Sequence, residues 1–499
     1  MSGRGRTALA LAAVAAGVFI SALDQTMVVT VLPSIMKTLH ISALNLDQAA
    51  WVITGYLLGY TVAMPLFGRF ADVWGRRAVW TAAVALFMVG SLGCVLAGSL
   101  TTLVAARVFQ AAGGGAMVPV AMAVSADLVP LERRAFALGI IGAAAEAGGV
   151  LGPLYGATLA QQWGWHTIFL INIPLGALLI LACLVFVPRS APRPAGAGAR
   201  TIDYVGAAFM AAALACLTIG LSGSTQAGSS GLRPPWLVAS AASFGVFFFW
   251  ELRQADPLIR LSLFRNRSFA AANATNFAVG VALIVGMVEI PLYAYSLLGK
   301  SEVSGGLLLM RLTVMIPVGA VIGGWIADRI GSRITAMAGF LLTGVGYLLI
   351  ANWPSIPSAA QMTLDLAVTG IGFGLVIAPI SATVIETAGK KWMATGSALV
   401  TVMRMVGMMV GLSALSSYGL RTYKSLLAGH TLPLRTAGMS DAEYDGLRKA
   451  YNAVSTAALH TVYNRFFLVA AGVSLLAVIP AVLLLKRRAG GRRLPFLPQ

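Results

Sequence analysis

The chain has 499 residues, of which 58% are hydrophobic and only 10% charged, with a net charge of +18. A soluble protein of this size needs roughly 25% charged residues to meet water, so a soluble multidomain architecture is excluded. Excess positive charge often marks nucleic-acid binding, but its placement along this chain points to a membrane surface, and no nucleic-acid partner is expected.

Apolar runs recur from end to end, each long enough to cross a hydrocarbon core of about 30 Å. They predict fourteen membrane spans, at residues 9–32, 49–68, 79–98, 102–124, 136–159, 168–187, 203–222, 236–250, 269–292, 304–326, 334–351, 362–385, 394–416 and 466–485. Helices are the only choice, because unpaired backbone groups cannot face lipid and nothing alternates like a barrel strand. The N-terminus imitates a secretory signal, yet its apolar run continues to Leu32, so it reads as an uncleaved first span. Cys94, Cys183 and Cys216 all sit inside apolar runs and read as small packing residues, neither disulfides nor metal ligands.

Orientation follows from Lys and Arg in the connections. With the N-terminus inside, cytoplasmic segments hold 23 of them and outer loops nine, six of those in the long loop 417–465. Both termini are therefore expected in the cytoplasm, with anionic membrane lipid as the partner of the basic face.

An internal repeat appears at two turns on that face. Gly68-Arg-Phe-Ala-Asp72-Val-Trp-Gly75-Arg76-Arg77 follows the second span, and Gly324-Trp-Ile-Ala-Asp328-Arg-Ile-Gly-Ser-Arg333 follows the tenth. Glycine suits a tight turn or positive φ, and the Asp and Arg side chains can pair or cap helix ends. The copies lie eight spans apart, which divides the chain into three parts. Residues 1–187 form a six-helix bundle, 188–268 carry linkers and two extra helices, and 269–499 form a second six-helix bundle with the long outer loop. Repeated halves around a central site are a transporter architecture. Within that loop, Ser440-Asp-Ala-Glu443 is a capping box, followed by Tyr444, Leu447, Tyr451 and Val454 at helical spacing. It predicts an amphipathic helix on the outer membrane surface, serving as a lid or in substrate handover.

With these residues in place, the chain resembles the major facilitator superfamily, specifically its fourteen-helix drug–proton antiporter branch. The resemblance covers essentially the whole length. Leu23-Asp24-Gln-Thr-Met-Val-Val-Thr-Val-Leu-Pro33 is similar to the first-helix signature of that branch. Arg107-Val-Phe-Gln110-Ala-Ala-Gly113-Gly-Gly115 is similar to its fourth-helix motif, with Ala111 where glycine is usual. Gly139, Gly148, Gly152, Pro153 and Gly156 keep the spacing of the helix-five antiporter motif, with Ala157 departing. Such glycines permit close helix packing, and Pro153 loosens the backbone ladder. Glu146, just before the Gly-Pro core, and the stretch beginning Arg404-Met-Val-Gly look like the actinobacterial members implicated in triacylglyceride export and drug efflux.

Charges within spans are functional candidates, since each costs about 2.5–3.5 kcal/mol on insertion scales. Asp24 lies about 12 Å from the outer end of its span at 1.5 Å per residue, and the resemblance implies a proton-coupling role for it, with a structural hydrogen bond as the alternative. Glu146 and Arg404 share a depth, on helices that face each other in the superfamily. They are expected to form an ion pair between the bundles that breaks when Glu146 is protonated, the alternative being separate partners within each bundle. Arg107 tunes the proton site or hydrogen-bonds to carbonyls. Arg311 is a substrate-path charge or snorkels outward. Glu289 and Asp365 lie near outer ends and read as interfacial residues in reach of water, with Glu289 retained as a possible substrate-path residue. Met287, Met310, Met315, Met403, Met405, Met408 and Met409 suit an adaptable greasy pathway or plain packing.

No chemistry of an enzyme is apparent. The sequence has no phosphate-binding glycine loop with Lys-Ser/Thr, and His40, His166, His430 and His460 lack metal-ligand spacing. No cofactor is expected beyond the proton as coupling ion. The reading is a multi-pass protein of the cell membrane, monomeric by family default, that exports lipophilic molecules (lipids such as triacylglycerides, or amphipathic drugs) in exchange for protons. Two other readings stay open: a lipid-moving protein working with an extracytoplasmic carrier, and a proton-coupled importer of a small solute.

Overall fold

The structure is a computed structural model, and it describes residues 3–42, 46–130, 134–188, 203–222, 233–254, 257–430 and 439–484. The basic residues of the 189–200 linker and of the tail beyond 484 lie outside the described residues. Among the described residues the fold is all-helical, and fourteen helices are long and apolar enough to cross a membrane. These are α1 (Gly5–Thr38), α2 (Trp51–Trp74), α3 (Arg76–Val95), α4 (Leu100–Leu128), α5 (Ala137–Trp163), α6 (Thr167–Phe186) and α7 (Tyr204–Leu221). They continue as α8 (Pro234–Arg253), α9 (Arg267–Ser296), α10 (Glu302–Ile330), α11 (Ser332–Ala351), α12 (Ala359–Ala388), α13 (Ala398–Leu426) and α14 (Asp441–Ala481).

Local chemistry fixes many of the starts. Ser99 caps α4 in a reciprocal box with Thr102, and Asp203, Asn266, Ser301, Ser358 and Ser440 accept backbone N–H bonds at the starts of α7, α9, α10, α12 and α14. Each satisfies a donor that lipid cannot.

Helices α1 to α6 pack on one another, as do α9 to α14, while α7 and α8 form a hairpin whose α7 lies on α2 and on the α12–α13 run. Equivalent helices make equivalent contacts in the two groups. Gly148, Gly152 and Gly156, four residues apart on α5, meet α1 at Phe19, Leu23, Thr26 and Met27. Gly407 and Gly411 on α13 meet α9 at Phe277 and Val281. The helical run from α12 into α13 turns back on itself, since Gly396 packs against Ala388 and Val384.

The repeated motif sits differently from its expected place in a turn. Helix α2 continues to Trp74 and α10 to Ile330, although Val73, Trp74, Trp325 and Ile330 are exposed. Gly68, Asp72, Gly324 and Asp328 are therefore helical. Only Gly75 (φ 89°) and Gly331 (φ 97°) make the turns, with ψ of 139° and 153°. That region is essentially closed to residues with a Cβ and costs of order 1–3 kcal/mol to hold. Gly75→Ala and Gly331→Ala are each expected to lower stability by about that much, read as a fall in the thermal unfolding midpoint of the detergent-solubilised protein. In the first copy, Arg76 pairs with Asp127 and donates to the Ala123 carbonyl. Arg77 donates to the carbonyls of Leu184 (2.6 Å) and Val187 (3.3 Å), closing the C-terminus of α6. In the second copy, Arg329 stacks over Trp325 at 3.7 Å, and Arg333 buries an Nε with no partner.

The long loop is also mostly helix. Residues 417–426 extend α13, and 441–465 belong to α14. The stretch Asp441–Leu476 is one helix of 36 residues, about 54 Å at 1.5 Å per residue, against a hydrocarbon core of about 30 Å. Its first turns are largely exposed and continue the membrane helix outward; they do not lie flat on the surface as a separate amphipathic helix. Tyr423 on α13 and Ser455 on α14 share a hydrogen bond of 2.8 Å between their hydroxyls, which ties the two extensions together.

Candidate functional site: a cavity between the helix groups

The turns at Gly75 and Gly331 mark one end of the molecule, the basic end. Between the two helix groups lies a cavity of about 490 Å³, within the range of roughly 300–1,000 Å³ typical of ligand pockets. Its wall reaches from mid-helix positions (Gln25 on α1, Tyr60 on α2, Asn276 on α9) toward the basic end (Leu138 on α5, Val384 on α12, Val400 on α13). Glycines and aliphatic side chains make most of that wall, with Met122, Met287, Met405 and Met408 among them.

At the opposite end the halves close on each other. Ser34 on α1 donates to Glu302 on α10 at 2.5 Å. Thr313 on α10 reaches the Val150 carbonyl of α5 at 3.4 Å, and Gly306 packs against Pro153 and Ala157. Ser34 and Glu302 were not singled out from sequence. Both lie at helix ends, where a polar residue is ordinary.

Inside the cavity, Arg404 Nη1 lies 3.3 Å from Glu146 Oε1. The pair spans the interface between α13 and α5, and both residues belong to the cavity wall. The Glu146 side chain is 41% exposed and that of Arg404 18%, so water reaches the carboxylate. Gln25 Nε2 makes a second crossing contact, to Met405 Sδ at 3.1 Å.

Asp24 sits elsewhere. It is fully buried within the first helix group and lies outside the cavity wall, while its neighbour Gln25 lines it. Arg107 Nη1 donates to Asp24 Oδ2 and to Gln110 Oε1, both at 2.7 Å. Asp24 Oδ1 accepts from Gln110 Nε2 at 2.9 Å and from Asn172 Nδ2 at 2.7 Å. Ser91 Oγ accepts from Gln110 at 2.8 Å and from Asn172 at 3.4 Å. The guanidinium also lies 4.0 Å from the centre of the Tyr56 ring, a cation–π contact strengthened by exclusion of water. Arg107 thus engages side chains of α1 and α4 in a network drawn from four helices, and Asn172 and Ser91, which bond Asp24 and Gln110, were missed from sequence. The signal for Asn172 was present, as the one strongly polar residue in the span 168–187.

Other sequence candidates fall away from the cavity. Arg311 Nη1 donates to the Ala359 carbonyl at 3.2 Å and to Thr363 Oγ1 at 2.8 Å, bridging α10 to α12. Met310, Met315, Met403 and Met409 lie outside the cavity wall. Glu289 and Asp365 are not water-reachable: both are 4% exposed, because α9 and α12 are covered by neighbouring helices at that height, and Asp365 Oδ2 accepts from Trp353 Nε1 at 2.7 Å. Neither lines the cavity, which corrects the place of Glu289 on the substrate path. Of the helix-five motif, Gly139 faces the cavity while Gly148, Gly152 and Gly156 pack on α1. The Pro153 carbonyl accepts from Thr30 Oγ1 at 2.9 Å.

Two helix groups around a central cavity, sealed at one end and crossed by an ion pair, define a membrane transporter. Residues 14–412 match the model of the Major Facilitator Superfamily, and the chain belongs to that family. It is 37% identical to a triacylglyceride transporter of Mycobacteroides abscessus over 90% of each chain. It is 33% identical to a triacylglyceride transporter of Mycolicibacterium hassiacum, covering 96% of this chain and 92% of that one. Among solved structures, a bacterial homologue of the human lysosomal transporter Spinster, in an inward-facing and occupied conformation, superposes with a TM-score of 0.63 at 16% identity over 95% of both chains. The partially occluded, inward-open xylose transporter of E. coli gives 0.56 at 14% identity, over 93% of this chain and 97% of the other. The protein is a multi-pass transporter of the cell membrane.

Proposed function

We propose that this transporter exports lipophilic molecules in exchange for protons by alternating access, and that triacylglyceride is its first candidate substrate. The observation that carries this reading is the Glu146–Arg404 pair, which is the one ionic link in the wall of an otherwise mostly apolar cavity among the described residues. With the basic end facing the cytoplasm, as the Lys and Arg distribution leads one to expect, the state described here receives substrate from the inside. Protonation of Glu146 removes the charge that holds Arg404, and the two helix groups are then free to rock. Asp24 and Arg107, enclosed and mutually paired, hold the first helix group rigid while this happens. A molecule with several long acyl chains exceeds this cavity, so part of it stays in the lipid as it passes. The similarity to triacylglyceride transporters supports the substrate class.

The extended α13–α14 hairpin is the proposed meeting place for an extracytoplasmic carrier. The test is reconstitution into liposomes with an acidic lumen that also traps a lipid-binding protein, following a fluorescent triacylglyceride and, separately, a cationic dye. Gradient-dependent capture of the lipid is expected. Movement of neither probe would remove the proposal.

A further inference from the structure

Glu289 has no part in the cycle just described, yet its surroundings are unusual. It lies on α9 within the second helix group, 4% exposed, with Oε2 lacking any hydrogen-bond partner, and no cation pairs with it among the described residues. None of the basic side chains around it reaches the carboxyl among the described residues. Tyr293, one turn along α9, buries a hydroxyl that has no partner. Tyr463 on α14, within electrostatic reach of Glu289, shares a hydrogen bond of 2.9 Å with Ser296, and its ring lies 5.5 Å from that of Tyr293. On α11, Tyr347 donates to the Ala282 carbonyl at 2.6 Å. Behind Tyr293, Trp353 holds Asp365 of α12. His460, a turn before Tyr463 on α14, contacts Asn464 at 3.3 Å, and Arg465 is exposed. On α10, Glu302 is bound to Ser34 and Arg311 to α12. On α13, Arg404 is turned to Glu146.

A carboxylate in this box would have no counter-charge and no water, a cost of several kcal/mol. The neutral acid fits it. The position also bears on the sealed end of the cavity. Two residues further on, Pro291 interrupts the α9 hydrogen-bond ladder, and Gly305 of α10 packs against it. That part of α10 carries Gly306, Thr313 and Glu302, the residues that close on α5 and α1. An ionised Glu289 must recruit water, and water enters only if α9, α10 and α14 separate at this end.

We propose that Glu289 is a second proton-binding site, distinct from the ion pair in the cavity, which holds its proton while the end opposite the basic loops is sealed and favours opening of that end when it ionises. The sign follows from linkage. The sealed state binds one more proton than the open one, so raising pH favours opening. Within the window between the two states' titrations, the open-to-sealed ratio changes by up to about tenfold per pH unit.

The inference goes beyond the export reading and does not depend on Glu146, so the test is made in a Glu146→Gln background. Spin labels at Thr38 and Lys300, both exposed beside the sealed end, report its opening from mildly acidic to mildly alkaline pH in liposomes, with the native cysteines removed. The parent should open as pH rises. Glu289→Gln should stay sealed and lose that response, while Glu289→Asp should keep it. Superimposable curves for the parent and Glu289→Gln would overturn the proposal. If the Gln variant does not fold, the Asp variant decides: a retained slope supports the site, and a flat one overturns it.

Discussion

Glu146→Gln should abolish gradient-driven accumulation of lipid in liposomes while leaving downhill exchange near the level of the unaltered protein. The amide keeps the shape and hydrogen-bonding of a protonated carboxyl but cannot lose a proton. The two helix groups then move without being tied to the pH gradient, and transport falls to whatever the lipid gradient itself drives. One charge crossing 100 mV is worth about 2.3 kcal/mol, so uncoupling at that potential removes close to fiftyfold of concentrating power. The partner test reverses the pair. Glu146→Arg and Arg404→Glu should each be inactive alone and, combined, recover part of the activity, because the 3.3 Å contact between α5 and α13 is restored with opposite polarity. A double variant no better than either single one would show that the contact has no role in closing the cavity.

Asp24→Leu should be the most damaging single change to stability. It leaves the Arg107 guanidinium, itself fully buried, without its carboxylate, and removing one partner of a buried pair costs about 3–5 kcal/mol. Nε and Nη2 of Arg107 already lack hydrogen-bond partners, so there is little slack to absorb the loss. Replacing both residues with leucine removes the stranded charge. The double variant should therefore unfold at a higher temperature than Asp24→Leu alone, and thermal unfolding in detergent micelles measures the order. If Asp24→Leu melts with the unaltered protein, the network does not hold the first helix group together.

The membrane helices were legible because the bilayer imposes one length on every span. The helices run beyond the apolar runs mainly at their ends, as where α2 carries Asp72 down to Trp74 and α14 begins near Asp441. The Glu146–Arg404 contact was accessible because both residues lie about ten residues from the same face, and equal depth survives translation into structure. Lateral position does not. Glu289 is seven residues from the end of α9, which suggests water, but burial there is decided by the helices packed on α9, α10 and the distant α14 among them. Asp24 met the same difficulty from the other side. Its depth was readable, whereas the convergence of Ser91, Arg107, Gln110 and Asn172 from three other helices was not.

The central claim is that lipid movement one way is exchanged for a proton moving the other. It is tested most directly with a pH-sensitive dye sealed in liposomes that hold the protein with its basic end outward, in the absence of any imposed pH gradient. Adding a fluorescent triacylglyceride to the outer face should make the lumen more alkaline in step with lipid captured inside, and Glu146→Gln should capture lipid with no change in lumen pH. Lipid capture by the unaltered protein at constant lumen pH would contradict the account.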